Sequence, residues 1–158
     1  MTGGVRATAQ AYSGHATPKA AMPAIQTACL AVAGLIAIAF GLRYMFATQF
    51  MEYHATVVGR TWADVPAGMQ AIVLGMYTIM GGGFITYGAA LLWLLLPLRD
   101  GEQWAAMAAL TLSVTALVPV IYVTLWLRRI QPGARTPVLP AVIVFVLAVV
   151  GAGISLLP

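Results

Sequence analysis

Four long stretches without a charged side chain limit what this chain can fold into more than any other feature. They lie between Lys19 and Arg43, between Asp64 and Arg99, between Glu102 and Arg128, and after Arg135. Each can hold the roughly 20 apolar residues that cross about 30 Å of hydrocarbon. Backbone polar groups in lipid must bond internally, and the stretches are too long and too continuous for barrel strands. The sequence therefore predicts membrane-spanning helices.

The composition agrees with lipid as the solvent. Hydrophobic residues make up 61% of the chain and charged residues 8%, against roughly 45–50% and about 25% in soluble domains. So little charge could not cover a surface in water. The net charge of +4 suits contact with anionic lipid headgroups. Nucleic acid is not an expected partner, because no soluble basic surface is present.

The predicted architecture is all-α, an integral membrane four-helix bundle. Residues 1–21 are expected to form a flexible tail, and residues 22–158 a single domain. The four helices are predicted at about 23–47, 66–97, 102–129 and 137–157. The connection at 48–68 mixes apolar and polar residues, which predicts an amphipathic segment in the membrane interface between the first two helices.

Small residues recur along the second predicted helix at spacings of three and four. They are Gly75, Thr78, Gly82 and Thr86. Such a stripe lets two helix backbones approach closely in lipid, so it is predicted to be a packing face. The neighbouring run of three glycines at 81–83 has two interpretations, close packing or a flexible wall beside a ligand.

Most polar chemistry is predicted at one end of the bundle. Four spans in series place the helix 1–2 and helix 3–4 connections on the same side. Arginine and lysine numbers favour the cytoplasm for that side, with five against three on the other. The charged and titratable residues predicted there are Arg43, Glu52, His54, Arg60, Asp64, Arg128, Arg129 and Arg135.

His54 is the candidate for chemistry at that end. A histidine beside a carboxylate can act as a general base because its pKa lies near neutrality, so His54 and Glu52 form a candidate catalytic pair. They are two residues apart and would not share a helix face. The alternative is a histidine packed at the interface without a catalytic role. The candidate substrate-binding residues are Arg43, Tyr44, Arg60 and Tyr122.

No metal or cofactor is predicted. Met45, Met51 and His54 are ligand types that suit copper, but they lack a repeated spacing, and methionine commonly fills cores. A haem would usually need a pair of axial ligands, which His54 alone does not supply.

The segment FGLRYMFATQFMEYHATVVG, followed by GMQAIVLGMYTIMGGGFITYGAALL, resembles small bacterial four-span membrane proteins that are broadly DoxX-like. Most of these are uncharacterised, and the group includes proteins described as subunits of membrane oxidoreductases. The resemblance implies four spans in the bacterial cytoplasmic membrane. It also implies an N-terminus inside, which opposes the arginine distribution, so the orientation stays open. It transfers no catalytic residue.

Two functions remain open from the sequence. The spans carry no mid-membrane charge, which argues against ion-coupled transport. The first hypothesis is an accessory or structural subunit of a larger membrane complex, with membrane-protein partners or as a homo-oligomer. The alternative is an intramembrane enzyme or binding protein for a lipophilic small molecule, with its site at the helix 1–2 connection around His54. Whether the protein is an enzyme is left open.

Overall fold

The computed structural model describes residues 24–156 and is helical throughout its regular structure. The predicted tail at 1–21 lies outside the described residues. The described range contains no strand, which confirms the all-α class. The helices are α1 (Ala24–Met45), α2 (Glu52–Val58), α3 (Ala67–Arg99), α4 (Gln103–Ile130) and α5 (Val138–Ile154), with one 3₁₀ turn at Trp62–Asp64.

Three of these helices are long and apolar enough to cross a membrane, which indicates a membrane protein. They are α1, α3 and α4, with 22, 33 and 28 residues. The fourth apolar helix, α5, is shorter, at 17 residues. Contacts run from α1 to α3, from α3 to α4, from α4 to α5 and from α5 back to α1. The four helices therefore form a closed ring, and α2 lies outside it in the connection between α1 and α3.

Large apolar side chains cover the outside of the ring. Ile79 and Trp93 of α3 are 78% and 80% exposed, and Trp104 and Trp126 of α4 are also exposed. The core is built largely from small residues, including Ala33, Ala37, Ala105, Ala106, Ala109, Ala148 and Ala152. An apolar outside around a narrow core suits a lipid solvent, in which helices associate by close packing.

The backbones of α1 and α3 touch at glycines. A Cβ atom added at Gly81 would lie 2.6 Å from the carbonyl oxygen of Gly41, and one added at Gly41 would lie 2.7 Å from that of Gly81. Two helical turns further along, Gly34 and Gly88 face each other in the same way. Any larger residue would hold the helices apart, so these four glycines set the distance between α1 and α3.

The predicted stripe on α3 is not the surface that meets α1. Gly75, Thr78 and Thr86 are exposed, Gly82 is half-buried, and a Cβ at Gly75 would have no neighbouring atom within 4 Å. The glycines of α1 are seven residues apart, and on α3 they select Gly81 and Gly88, which point about 100° away from Gly82. Contact of the stripe with another chain stays a prediction.

Local turns border α3 at both ends. Asp64 does not cap α3, because its carboxylate accepts hydrogen bonds from the backbone N–H and hydroxyl of Thr61, at 3.3 and 2.7 Å. It closes the 3₁₀ turn instead. At the other end α3 continues through Pro97 to Arg99. The chain then reverses at Gly101, whose φ of +79° suits glycine.

Gly81→Ala should destabilise the protein, because its methyl group would overlap the α1 backbone. We expect a loss of about 1–3 kcal/mol in the free energy of unfolding, measured by denaturant titration in detergent. Gly83→Ala is the matched control, since nothing lies within 4 Å of a Cβ there. It should be neutral or stabilising, by up to about 1 kcal/mol, because alanine favours helix. Equal stability of the two variants would contradict the glycine contact.

Candidate functional site

Two neighbouring side chains of α2 attach it to two different spans. The hydroxyl of Tyr53 hydrogen-bonds to the hydroxyl of Tyr44, in the last turn of α1. The Nδ1 atom of His54 hydrogen-bonds to the hydroxyl of Tyr77, in the third turn of α3. No residue of α2 is fully buried, so these two hydrogen bonds are its main specific links to the ring. The predicted interfacial segment is therefore tied to the bundle.

The four rings form one aromatic cluster, consisting of Tyr44, Tyr53, His54 and Tyr77. The rings of Tyr44 and Tyr77 meet edge to face, with centroids 5.3 Å apart and planes at 89°. The His54 ring lies 3.9 Å from that of Tyr53 and 5.4 Å from that of Tyr77. Edge-to-face contact is a favoured arrangement of aromatic pairs.

The glycine contact explains why this cluster forms. Tyr44 follows Gly41 by three residues, and Tyr77 precedes Gly81 by four. Residues three or four apart lie on the same helix face. Because Gly41 and Gly81 touch, the two tyrosines are brought together one turn further along the antiparallel pair.

The hydrogen bonds of the Tyr77 hydroxyl favour one tautomer of neutral His54. The backbone N–H of Met51 donates to the Tyr77 hydroxyl oxygen at 3.4 Å. That hydroxyl has one proton of its own, and His54 Nδ1 is its other partner among the described residues. The tautomer that gives this proton an acceptor has Tyr77 donating to Nδ1, with the proton of neutral His54 on Nε2. The imidazole keeps one free donor.

Burial keeps two ring side chains of α2, Tyr53 and His54, uncharged. It lowers the pKa of His54 to about 4, since the charged imidazolium is poorly solvated there. Burial also raises the pKa of Tyr53. Both side chains are therefore neutral near pH 7. They are suited to donate and accept hydrogen bonds with an uncharged group.

An apolar cavity of about 260 Å³ opens beside the aromatic cluster. Its walls come from all four helices of the ring, with Phe40 from α1, Phe84 from α3, Leu117 from α4 and Val144 from α5. The residues of its lining that carry polar side-chain groups are Tyr44, Tyr53, His54 and Thr124. Three prolines complete the lining, namely Pro119, Pro137 and Pro140. We refer to this space as the apolar cavity.

A second, more polar cavity of about 450 Å³ adjoins the first. Arg43, Glu52, Thr56 and Arg135 line it. Four residues line both spaces, namely Phe40, Tyr44, Tyr53 and Pro137. The Tyr44–Tyr53 hydroxyl pair therefore lies at the boundary between the apolar cavity and this polar cavity.

The structure separates the candidate catalytic pair. Glu52 is exposed and lines the polar cavity, whereas His54 lines the apolar cavity and bonds to Tyr77. Two residues apart on a helix point in different directions, so the expected Glu52–His54 interaction is absent from the described hydrogen bonds. Two candidate binding residues do lie at the site. Arg43 lines the polar cavity, and Tyr44 lies at the boundary between the two cavities.

Two candidate binding residues lie elsewhere. Arg60 is exposed and lines neither cavity. It follows Gly59, whose φ of +66° ends α2 and turns the chain away. Tyr122 is 67% exposed on the outer face of α4, while its neighbours Val123 and Thr124 line the apolar cavity. The structure therefore does not bring Arg60 and Tyr122 to the two cavities.

The sequence analysis did not select Tyr53 and Tyr77 as site residues. A signal for Tyr53 was its position next to His54. Tyr77 had no comparable signal, because it lies 23 residues from His54 and meets it only through the α1–α3 packing.

No family model, no curated protein and no solved structure matches this chain. Among residues 24–156, no group of three or more His, Cys, Asp or Glu side chains could hold a metal ion. The DoxX-like resemblance stays a prediction, and the function must be argued from the cavities and the residues around them.

Tyr77→Phe should loosen α2, because both Met51 N–H and His54 Nδ1 lose their partner. An unsatisfied polar group costs about 1–3 kcal/mol. We expect faster amide hydrogen exchange across residues 51–58, with exchange in α4 unchanged. Tyr122→Phe is the matched control, since its hydroxyl lies on the outer face. Equal exchange in both variants would contradict the Tyr77 hydrogen bonds.

The protein should lose stability as the pH falls from about 6.5 to about 4. The folded pKa of His54 is below its ordinary value, so the unfolded chain binds the proton first. The stabilising contribution is complete above about 6.5 and lost towards the folded pKa of about 4. The titratable groups next to the imidazole are Tyr53, whose ring centroid lies 3.9 Å from that of His54, and Tyr77, whose hydroxyl bonds to Nδ1.

His54→Gln tests this pH dependence, with unfolding measured across that range in detergent. The carboxylates titrate in both proteins and affect both curves. The wild-type protein should lose more stability than the variant, because only the wild-type protein has the buried imidazole of His54. Parallel curves would show that His54 is not held neutral by the fold.

Proposed function

We propose that this protein binds a lipophilic small molecule in the apolar cavity. The observation that carries the proposal is a space among four apolar helices, with polar side chains of α2 at one end. Ligand pockets commonly have this form, a mostly apolar lining with a few placed polar groups. A cavity lined by Phe40, Phe84, Leu117 and Val144 favours hydrocarbon over water.

The polar groups define which ligands fit best. The free Nε2 donor of His54 and the Tyr53 hydroxyl suit a ligand that carries an acceptor oxygen. Because His54 is neutral, the cavity holds no charge that an apolar ligand would have to cover. Tyr77 and His54 form a bonded pair of the nucleophile–base kind, but Tyr77 does not line the apolar cavity. We therefore propose binding and not catalysis.

The proposal includes the membrane arrangement. We take the chain as a four-span bundle in the bacterial cytoplasmic membrane, as its DoxX-like resemblance implies. α5 would be the shortest span, since 17 residues extend about 25 Å. This is near the lower limit for crossing. A lipophilic ligand would then reach the cavity from the bilayer.

Filling the apolar cavity should abolish binding. Val144 is 4% exposed and lines the cavity, so Val144→Trp would occupy it. Val146 lies two residues further along α5 and is 49% exposed on the outside, which makes Val146→Trp the matched control. We expect at least about a tenfold loss of affinity in Val144→Trp only, equivalent to 1.4 kcal/mol.

The probe is hexadecanol carrying a diazirine at the chain end, cross-linked to protein in detergent and mapped by mass spectrometry. Helical content and elution volume establish that each variant is folded. Labels are expected on residues that line the apolar cavity. Equal labelling of the two variants, or labels confined to the outer face, would refute the proposed function.

A second candidate is the accessory subunit of a membrane complex. It is supported by the small-residue stripe at Gly75, Thr78 and Thr86, which stays exposed after the ring has closed. Another membrane protein or a second copy of this chain could pack there. Thr78→Trp should then prevent co-purification in mild detergent, with Thr111→Trp on α4 as the control. A wild-type chain that purifies alone and monomeric would exclude this candidate.

A further inference from the structure

Two arginines from distant parts of the chain line the polar cavity. Arg43 lies in the last turn of α1, and Arg135 lies in the connection between α4 and α5. Both line the same space. Glu52 contributes one carboxylate and Thr56 one hydroxyl to that space, so its charged side chains carry a net charge of +1.

Arginine suits one kind of ligand group in particular. Its planar guanidinium presents paired N–H donors that match the geometry of a carboxylate or phosphate. One of the two arginines can be balanced by Glu52, which leaves the other available for an anion. The polar cavity therefore has the chemistry of an anion-binding site.

The adjoining spaces could hold the two ends of one molecule. Phe40, Tyr44, Tyr53 and Pro137 line both cavities. The hydroxyls of the Tyr44–Tyr53 pair lie where a hydrocarbon chain would join a polar head. The apolar cavity of about 260 Å³ is just below the usual ligand-pocket range of about 300–1,000 Å³, which suits one chain.

We infer that the ligand is a single-chain amphiphile with an anionic headgroup, such as a long-chain carboxylate. Its chain occupies the apolar cavity, and its headgroup meets Arg43 and Arg135 in the polar cavity. This inference rests on the proposed function and narrows it to one chemical class.

Arginines at the end of a membrane helix often extend to lipid headgroups without a specific ligand. Arg128 and Arg129 in the last turn of α4 offer a comparison, because they are exposed like Arg43 and Arg135 but line neither cavity. An effect confined to Arg43 and Arg135 would separate a ligand site from general attraction to the membrane surface.

The test compares palmitate with hexadecanol, both carrying a diazirine at the chain end. Binding is measured to purified full-length protein in a non-ionic detergent, at a pH at which the carboxylate is ionised. We expect palmitate to bind at least about tenfold more tightly. The double variant Arg43→Gln with Arg135→Gln should lose this preference, and its helical content and elution volume establish that it is folded. Arg128→Gln with Arg129→Gln should keep the preference.

The outcomes are distinguishable. Equal affinity for both probes, or a preference that survives the Arg43 and Arg135 variants, overturns the anionic-headgroup inference and leaves the proposed function intact. Absence of both labels from the apolar cavity overturns the proposed function itself. Phosphatidylglycerol is added as a competitor, and displacement of palmitate by it at lower concentration overturns the single-chain assignment in favour of a bilayer lipid.

Discussion

Contact between the backbones of α1 and α3 determines most of what is distinctive in this structure. Helices in lipid gain little from hiding apolar surface, so close packing has to supply the attraction between them. Glycines at 34 and 41 meet glycines at 88 and 81 without intervening side chains. This fixes how far one helix is shifted along the other. The shift places Tyr44 against Tyr77, and those two hydroxyls are the attachment points for α2.

The separation between apolar helices and polar connections also follows from lipid as the solvent. Charge is absent from the middle of the spans, so the ring can supply only an apolar space and a few hydroxyls. The polar groups that could orient a ligand come from α2, from Arg43 at the end of α1 and from Arg135 before α5. Neutral His54 and charged Arg43 lie on opposite sides of the Tyr44–Tyr53 pair. One end of the bundle thus offers two neighbouring environments with different affinities for water.

The helical class could be predicted because the constraint acts on every backbone group in lipid. The clustering of polar residues at one end could also be predicted, since it follows from the order of the helices along the chain. Helix rotation could not be predicted. Gly81 and Gly82 are the same residue type and point about 100° apart on the helix. Only contact with the partner helix distinguishes them. The same limit explains why Tyr77 was missed and why Tyr122, which lies on the outer face of α4, was included.

α2 is too short to be stable as an isolated helix. Seven residues are fewer than the roughly 12–15 that an isolated helix needs in water, and none of them is fully buried. Gly59 and the polar turn that follows separate it from α3. Its opening therefore requires the loss of a few hydrogen bonds and leaves the ring packed. We expect α2 to open apart from the ring, which would widen access to the apolar cavity that Tyr53 and His54 line.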